Sequence, residues 1–391
     1  MNNLSSIFAK EGDFLEQVRK PYKIRAEDSK KLFLDKGGIA MQELKKNVQR
    51  IEWVDNLKCI CIIFVLISHM EYVPIVFQCI FKPVFLTTFF FLSGYVFKTN
   101  QRFRDFLFKR IKSILIPALI FSLIYLLDFG SIVRGQYSFE LFLRDIGGLL
   151  RQQRGRGDVL WFLYVTFLAE ISIFFITKCF SRMTGLVVSF ILCEISILYV
   201  KYIMVSPPYW YIHIIFVAAF LMMCGVTIKQ IKPGFIKNLY NNHLLSGMAL
   251  VIYIVLCYAL YYFNHCFVNI NEYEANQLLW YVVEILGIYS CTWIAHLLKS
   301  NSFVSFCGQN TVVFYLVHDR IRGILNKLLV SVGCWDWVMS SQYTRIVCTV
   351  IMLPIEILIV CGVTKMILRY FPYIVGKQRV NDGCGCQKDS G

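Results

Sequence analysis

The first long apolar run reads WVDNLKCICIIFVLISHM over residues 53–70, and three ionisable residues, Asp55, Lys58 and His69, interrupt it. An ionisable group in an apolar segment of spanning length is costly to keep, so each is a functional candidate. Lys58 and His69 are eleven residues apart. At about 100° and 1.5 Å per residue they share one helix face and stand roughly 16 Å apart along it. Asp55 precedes Lys58 by three residues, close enough to pair with it. Histidine is the usual general base toward a hydroxyl. A histidine in a membrane helix is also often only hydrogen-bonded to a neighbouring helix, but one aligned with a cation on a single face asks for more.

Further candidates follow along the chain. FFFLSGYVF at 89–97 sets Ser93-Gly94 in a run of Phe, where two backbones can approach closely or a hydroxyl can line a site. FLFKRIKSILIP at 106–117 holds Lys109, Arg110 and Lys112. These are either orientation signals or a phosphate clamp, and Pro117 would kink the helix that follows. In VLWFLYVTFLAE at 159–170 Trp161 is expected to start the fourth helix at the outer interface, the usual place for Trp, and Glu170 to lie at mid-membrane depth. In FCGQNTVVFYLVHDR at 306–320 a short helix is expected to start at Gly308–Thr311 and to close at His318-Asp319-Arg320. His318 is then an interfacial residue or lines an acceptor site. RQQRGRGD at 151–158, with Arg154 inside it, is a solvated loop or a lid over an anionic or polyhydroxylated substrate. His213 is the least informative of the histidines.

The elements that must position these residues follow from composition. The chain has 391 residues, 57% hydrophobic and 17% charged, with 33 Phe and 22 Tyr. A soluble protein would carry about 25% charged and roughly 45–50% apolar residues. The excess cannot be hidden in one core at this length. An all-α, polytopic membrane protein is the class that remains. Ten apolar segments of near-spanning length are expected, at 57–77, 81–98, 113–129, 159–178, 185–204, 209–228, 244–263, 278–298, 303–320 and 345–368. Residues 1–50 form a polar, mixed-charge tail without a signal-type apolar core, with a short helix expected near Phe14–Arg19. Residues 51–370 form the membrane domain and 371–391 a second tail. The formal net charge is +15. Its distribution follows the positive-inside rule, with six basic residues in 98–112, and so predicts both termini on the cytoplasmic side and no nucleic-acid partner. Of the 15 Cys, most lie in apolar runs and behave as small hydrophobes, not as a disulfide framework. The tail pair Cys384 and Cys386 has a CxC spacing, but one such pair is too few ligands for a structural zinc site, and no metal is expected.

The ordered set Asp55-Asn56-Leu57-Lys58, then His69, FFFLSGYVF, FKRIKSILIP at 108–117, LWFL at 160–163 and GQNTVVFYLVH at 308–318 resembles the acyltransferase family 3 membrane proteins, especially the fucose 4-O-acetylase branch. The resemblance covers about residues 50–370. It implies a ten-helix bacterial plasma-membrane O-acyltransferase that moves an acyl group, usually acetyl from acetyl-CoA, to a sugar hydroxyl of a surface polysaccharide or its lipid-linked precursor. His69 stands at the family's essential histidine, and Ser93 and Gly94 at its SGY motif. Lys58 stands where most members have Arg, so a phosphate would be met without the bidentate fork. Arg110 matches the first Arg of the RxxR motif, but the second falls on Ser113, with Lys112 beside it. The implied roles are His69 as base, oriented by Asp55 or a polar group of another helix. Lys58, Arg110, Lys112, Ser93 and Gly94 would hold the donor. Arg154, Trp161 and His318 would meet the glycan. A non-enzymatic transporter or flippase of lipid-linked saccharides is the alternative; it would need neither CoA nor a single essential histidine.

Overall fold

A computed structural model describes residues 51–127, 138–152, 160–206, 208–231, 233–264 and 277–377. The expected N-terminal tail with its Phe14–Arg19 helix, Arg154 and most of the C-terminal tail lie outside the described residues. From Glu52 onward the described residues form helices and no strand: α1 Glu52–His69, α2 Ile75–Tyr95, α3 Phe103–Arg110, α4 Ile116–Leu126, α5 Phe139–Arg151, α6 Trp161–Cys179, α7 Arg182–Tyr202, α8 Ile212–Lys229, α9 Pro233–Asn241, α10 His243–Asn264, α11 Gln277–Leu297, α12 Ser302–Gln309, α13 Thr311–Ser331, α14 Trp335–Met339 and α15 Gln342–Tyr370.

Among the described residues seven helices are long and apolar enough to cross a membrane: α2, α6, α7, Tyr209–Lys229 with α8, α10, α11 and α15. The three expected segments outside that set differ for physical reasons. α1 carries Glu52, Asp55 and Lys58 in 18 residues. The 113–129 segment is divided: a π-helical turn at Ile111–Leu115 shifts the register, and Pro117 sits in the first turn of α4, where its missing N–H costs nothing. The ninth segment breaks at Asn310 and then runs on through Asp319, Arg320, Arg322 and Lys327 to Ser331, eleven residues past its expected end. The first break also moves. It falls between His69 and Ile75, where Pro74 precedes α2 in an extended conformation that cannot continue α1.

Serines and an asparagine set several helix starts. The hydroxyls of Ser138, Ser181 and Ser341 and the Asn301 carboxamide oxygen accept from the free first-turn N–H groups of Leu141, Thr184, Thr344 and Val304. The bundle centre is α1, α2, α6 and α8. Of the α8 span 67% is buried, against 28% for α7, α10 and α15. Those three outer helices show apolar stripes such as Val187, Ile191, Ile195 and Leu198, the faces a bilayer would cover. α2 crosses α8 at a pair of small residues. A Cβ on Gly94 would lie 1.8 Å from the Met222 carbonyl oxygen, and one on Gly225 2.1 Å from that of Phe91. Gly308 makes a similar approach, its Cβ position 2.1 Å from the Asp55 oxygen, and seats α12 on the first turn of α1.

Candidate functional site

α1 is fixed at its Glu52 end by two side chains that close helix ends. Asn56 Nδ2 donates to Ala295 O at 3.1 Å, in the last turn of α11, and to Leu298 O at 2.8 Å, just past its end, where carbonyls lack a partner within the helix. Glu52 accepts from the Ser300 N–H at 3.0 Å. The Asn of the Asp-Asn-Leu-Lys motif is thus a joint between helices. Lys58 and His69 keep the shared face that the spacing predicts.

A cavity of about 250 Å³ opens beside Lys58. Ile62, Ser93, Arg110, Glu170, Thr311 and Tyr315 are among its walls, from α1, α2, α3, α6 and α13. Three sequence candidates, Lys58, Ser93 and Arg110, therefore meet in one place. Arg110 Nε lies 2.6 Å from Glu170 Oε2, and Glu170 is almost fully buried. Helix α3 brings the guanidinium over the Phe106 ring, 5.9 Å from its centroid. The ion pair explains the mid-membrane carboxylate that sequence reading could only flag. Removing one partner of a buried pair costs roughly 3–5 kcal/mol, and the low end applies because Arg110 is partly exposed. Glu170→Leu is expected to lower the thermal midpoint of detergent-solubilised protein more than Glu170→Gln, which keeps an acceptor for Arg110. Equal midpoints would contradict the pairing.

Two donor candidates are not in the cavity. Lys112 is exposed, and its carbonyl packs against Gly376. The π-turn rotates it outward and leaves Ser113 on the cavity wall. Gly94 serves the α2–α8 crossing described above. Asp55 does not reach His69: the two are fourteen residues apart on α1, roughly 21 Å. Asp55 Oδ2 instead accepts a long bond from Gln309 Nε2, 3.5 Å away.

The partner of His69 comes from α13. The His69 and His318 rings are 5.2 Å apart between centroids, tilted by 44°. His69 is exposed, at the last position of α1. His318 is fully buried. Its Nδ1 lies 2.8 Å from the Tyr315 carbonyl oxygen. A carbonyl only accepts, so Nδ1 carries the proton, and the neutral ring presents a lone pair at Nε2. That Nε2 is buried without a hydrogen-bond partner. Because α13 continues past Arg320, His318 is an interior residue two turns into a 21-residue helix, not its closing residue. Arg320 has a structural task, donating through Nη2 to Tyr125 O at 2.6 Å at the end of α4. Trp161 opens α6 as expected and packs against Tyr211, 5.4 Å between ring centroids. Its neighbour Phe162 faces the cavity and stands 5.6 Å from the Tyr315 ring.

The cavity and the histidine pair lie along one stripe. Ile62, on the cavity wall, and His69 are seven residues apart on α1, roughly 10 Å. Tyr315 belongs to the cavity wall and is one turn from His318 on α13. Sequence reading also missed residues on α13. His318, Arg322 and Asn326 recur every four residues and share a face. The signal was present in HDRIRGILN and was lost by ending the helix at Arg320. Among the described residues no group of three His, Cys, Asp or Glu side chains is placed to hold a metal ion.

No curated protein and no solved structure matches the chain significantly. The family model described as an acyltransferase domain, acyltransferase family 3, matches residues 51–363, most of the chain and all of the site just described. The chain belongs to that family and is a multi-pass membrane acyltransferase.

Proposed function

We propose that this protein transfers an acyl group, acetyl in the first instance, from a CoA thioester to a hydroxyl of a cell-surface glycan or its lipid-linked precursor. The observation that carries this reading is the order of groups along the Lys58–His69 face. Two cations, Lys58 and Arg110, stand at a cavity near one end of α1, and two histidines meet at the other.

In this reading the Glu52 end of α1 is cytoplasmic, and CoA enters there. Lys58 and Arg110 meet its phosphates. Glu170 holds the guanidinium through Nε and turns the other N–H groups toward the ligand. The thioester arm passes Ser93 and Tyr315 toward His69. The His69 imidazole takes the proton of the acceptor hydroxyl as its oxygen attacks the thioester carbonyl, and returns a proton to the departing CoA sulfur. His318, its tautomer set by Tyr315 O, accepts a hydrogen bond from the acceptor and holds it at His69. α1, the α3–α4 run and α13 would complete ten membrane crossings, with both termini in the cytoplasm of a bacterial plasma membrane. Family membership does not favour the flippase alternative.

Arg110→Met tests the donor site. Loss of a charge-assisted contact to phosphate is expected to raise the KM for acetyl-CoA about tenfold or more. Initial rates of ester formation in membranes measure it. An unchanged KM would remove Arg110 from the donor site.

A further inference from the structure

Beside the histidine pair, buried polar atoms without hydrogen-bond partners converge from two helices. They are His318 Nε2, Arg322 Nη1 and Asn326 Oδ1 on α13, and both carboxyl oxygens of Glu356 on α15. His318 and Glu356 are 0% and 1% exposed, so neither is satisfied by solvent. Buried groups of this kind are normally paired, and several left open in one region call for partners that the protein does not itself supply. The cluster is one neighbourhood. α13 and α15 pack against each other, and Arg322 and Asp319 lie within electrostatic reach of Glu356, as Arg322 and His318 do of His69. Arg322 is already engaged by Asp319 through Nη2, which leaves Nη1 to point elsewhere. At the rim, Asn326 Nδ2 donates to the exposed Glu71 at 3.2 Å and so commits its donor end, with its oxygen left over.

The open valences have a definite chemistry. Asn326 Oδ1, the Glu356 oxygens and His318 Nε2 accept, and Arg322 Nη1 donates. Hydroxyl groups, which donate and accept at once, satisfy such a set. Formal charge sharpens the assignment. Arg322 is balanced by Asp319, so within the cluster no cation is left over to pair with a carboxylate on the sugar, and the exposed Glu71 adds a negative charge at its edge. A carboxylate-bearing sugar would meet Glu71 and find no cation of the cluster free.

We infer that the Arg322–Asn326–Glu356 cluster is the acceptor subsite and that it takes an uncharged, polyhydroxylated sugar unit whose reactive hydroxyl is presented to His69. This rests on the acyl-transfer reading above and adds to it the positioning residues of the acceptor and its charge class.

The test uses membranes holding the full chain, acetyl-labelled acetyl-CoA, and the host's glycan fraction split by ion exchange into neutral and acidic pools. Alkali-labile label is expected in the neutral pool, by about tenfold or more over the acidic one. Glu356→Gln keeps the shape of the side chain. It is expected to raise the KM for the neutral glycan about tenfold while the KM for acetyl-CoA stays within about twofold, and to raise the share of label entering the acidic pool. Arg322→Gln is expected to raise the glycan KM in the same selective way. Label mainly in the acidic pool, an unchanged glycan KM in both variants, or a parallel rise of both KM values would overturn the subsite. Absence of any ester label with the unsubstituted chain would instead remove the acyl-transfer reading beneath it.

Discussion

His69→Ala is expected to abolish ester formation while leaving the protein inserted and folded. Removing a positioned general base typically costs 10²–10⁴-fold in rate, about 3–5 kcal/mol of barrier. The stability cost should be small. His69 is an exposed residue at the last position of α1, its one described ring contact is the His318 ring, and the turn after it begins at Met70 whatever residue stands at 69. Activity and fold are thereby separable at this position. Rates of labelled ester formation, together with the elution profile and thermal midpoint in detergent, check both halves. A variant that keeps more than about a tenth of the rate does not fit a base role. One that loses activity only because it no longer folds would leave His69 as a structural residue.

Gly94→Val is expected to have the opposite signature, loss of folded protein instead of loss of chemistry alone. The added Cβ would sit 1.8 Å from Met222 O and 2.6 Å from Met222 Cα, which are backbone atoms of α8 and cannot swing aside. α2 and α8 would have to separate along a crossing at the bundle centre. Overpacking a tight contact costs typically 1–3 kcal/mol when side chains can yield, and more when backbone must move. Gly225→Val presses on the same crossing from the other side, at 2.1 Å from Phe91 O, and should behave alike. Gly362→Ala is the control. It meets nothing within 4 Å on α15 and should be neutral or slightly stabilising. Yield of monodisperse protein from membranes separates the three. A well-folded Gly94→Val variant without activity would return the residue to the donor site.

Much of this architecture is legible before any coordinates. The Lys58–His69 face follows from helical periodicity alone, and Lys58, Ser93 and Arg110, singled out separately in the sequence, meet at one cavity. Where sequence reading failed, the cause was a contact between helices or a shift of register. Gly94 reads as a site residue by motif, yet its lack of a Cβ is used by α8. Lys112 reads as part of a clamp, yet one π-turn takes it away from the cavity and leaves Ser113 there. Asp55 reads as a residue that could orient His69, but distance along α1 rules out contact between them. The largest loss was α13. A run with Asp319, Arg320, Arg322 and Lys327 is too polar to be read as a spanning helix, so Arg322 and Asn326 fell outside consideration. Glu356 on α15 did carry a local signal, a carboxylate in the apolar run VIMLPIEILIVCGV, and it was passed over because what it faces lies on another helix.

The central claim, acyl transfer from CoA to a glycan hydroxyl at His69, is tested most directly in one assay. Membranes holding the intact chain or His69→Ala are given acetyl-labelled acetyl-CoA with the host's glycan fraction, and label is followed into alkali-labile ester. Ester label with the intact chain and none with the folded His69→Ala variant is the predicted result. No ester from acetyl-CoA or succinyl-CoA, with glycan export that depends on the protein but not on CoA, would contradict it.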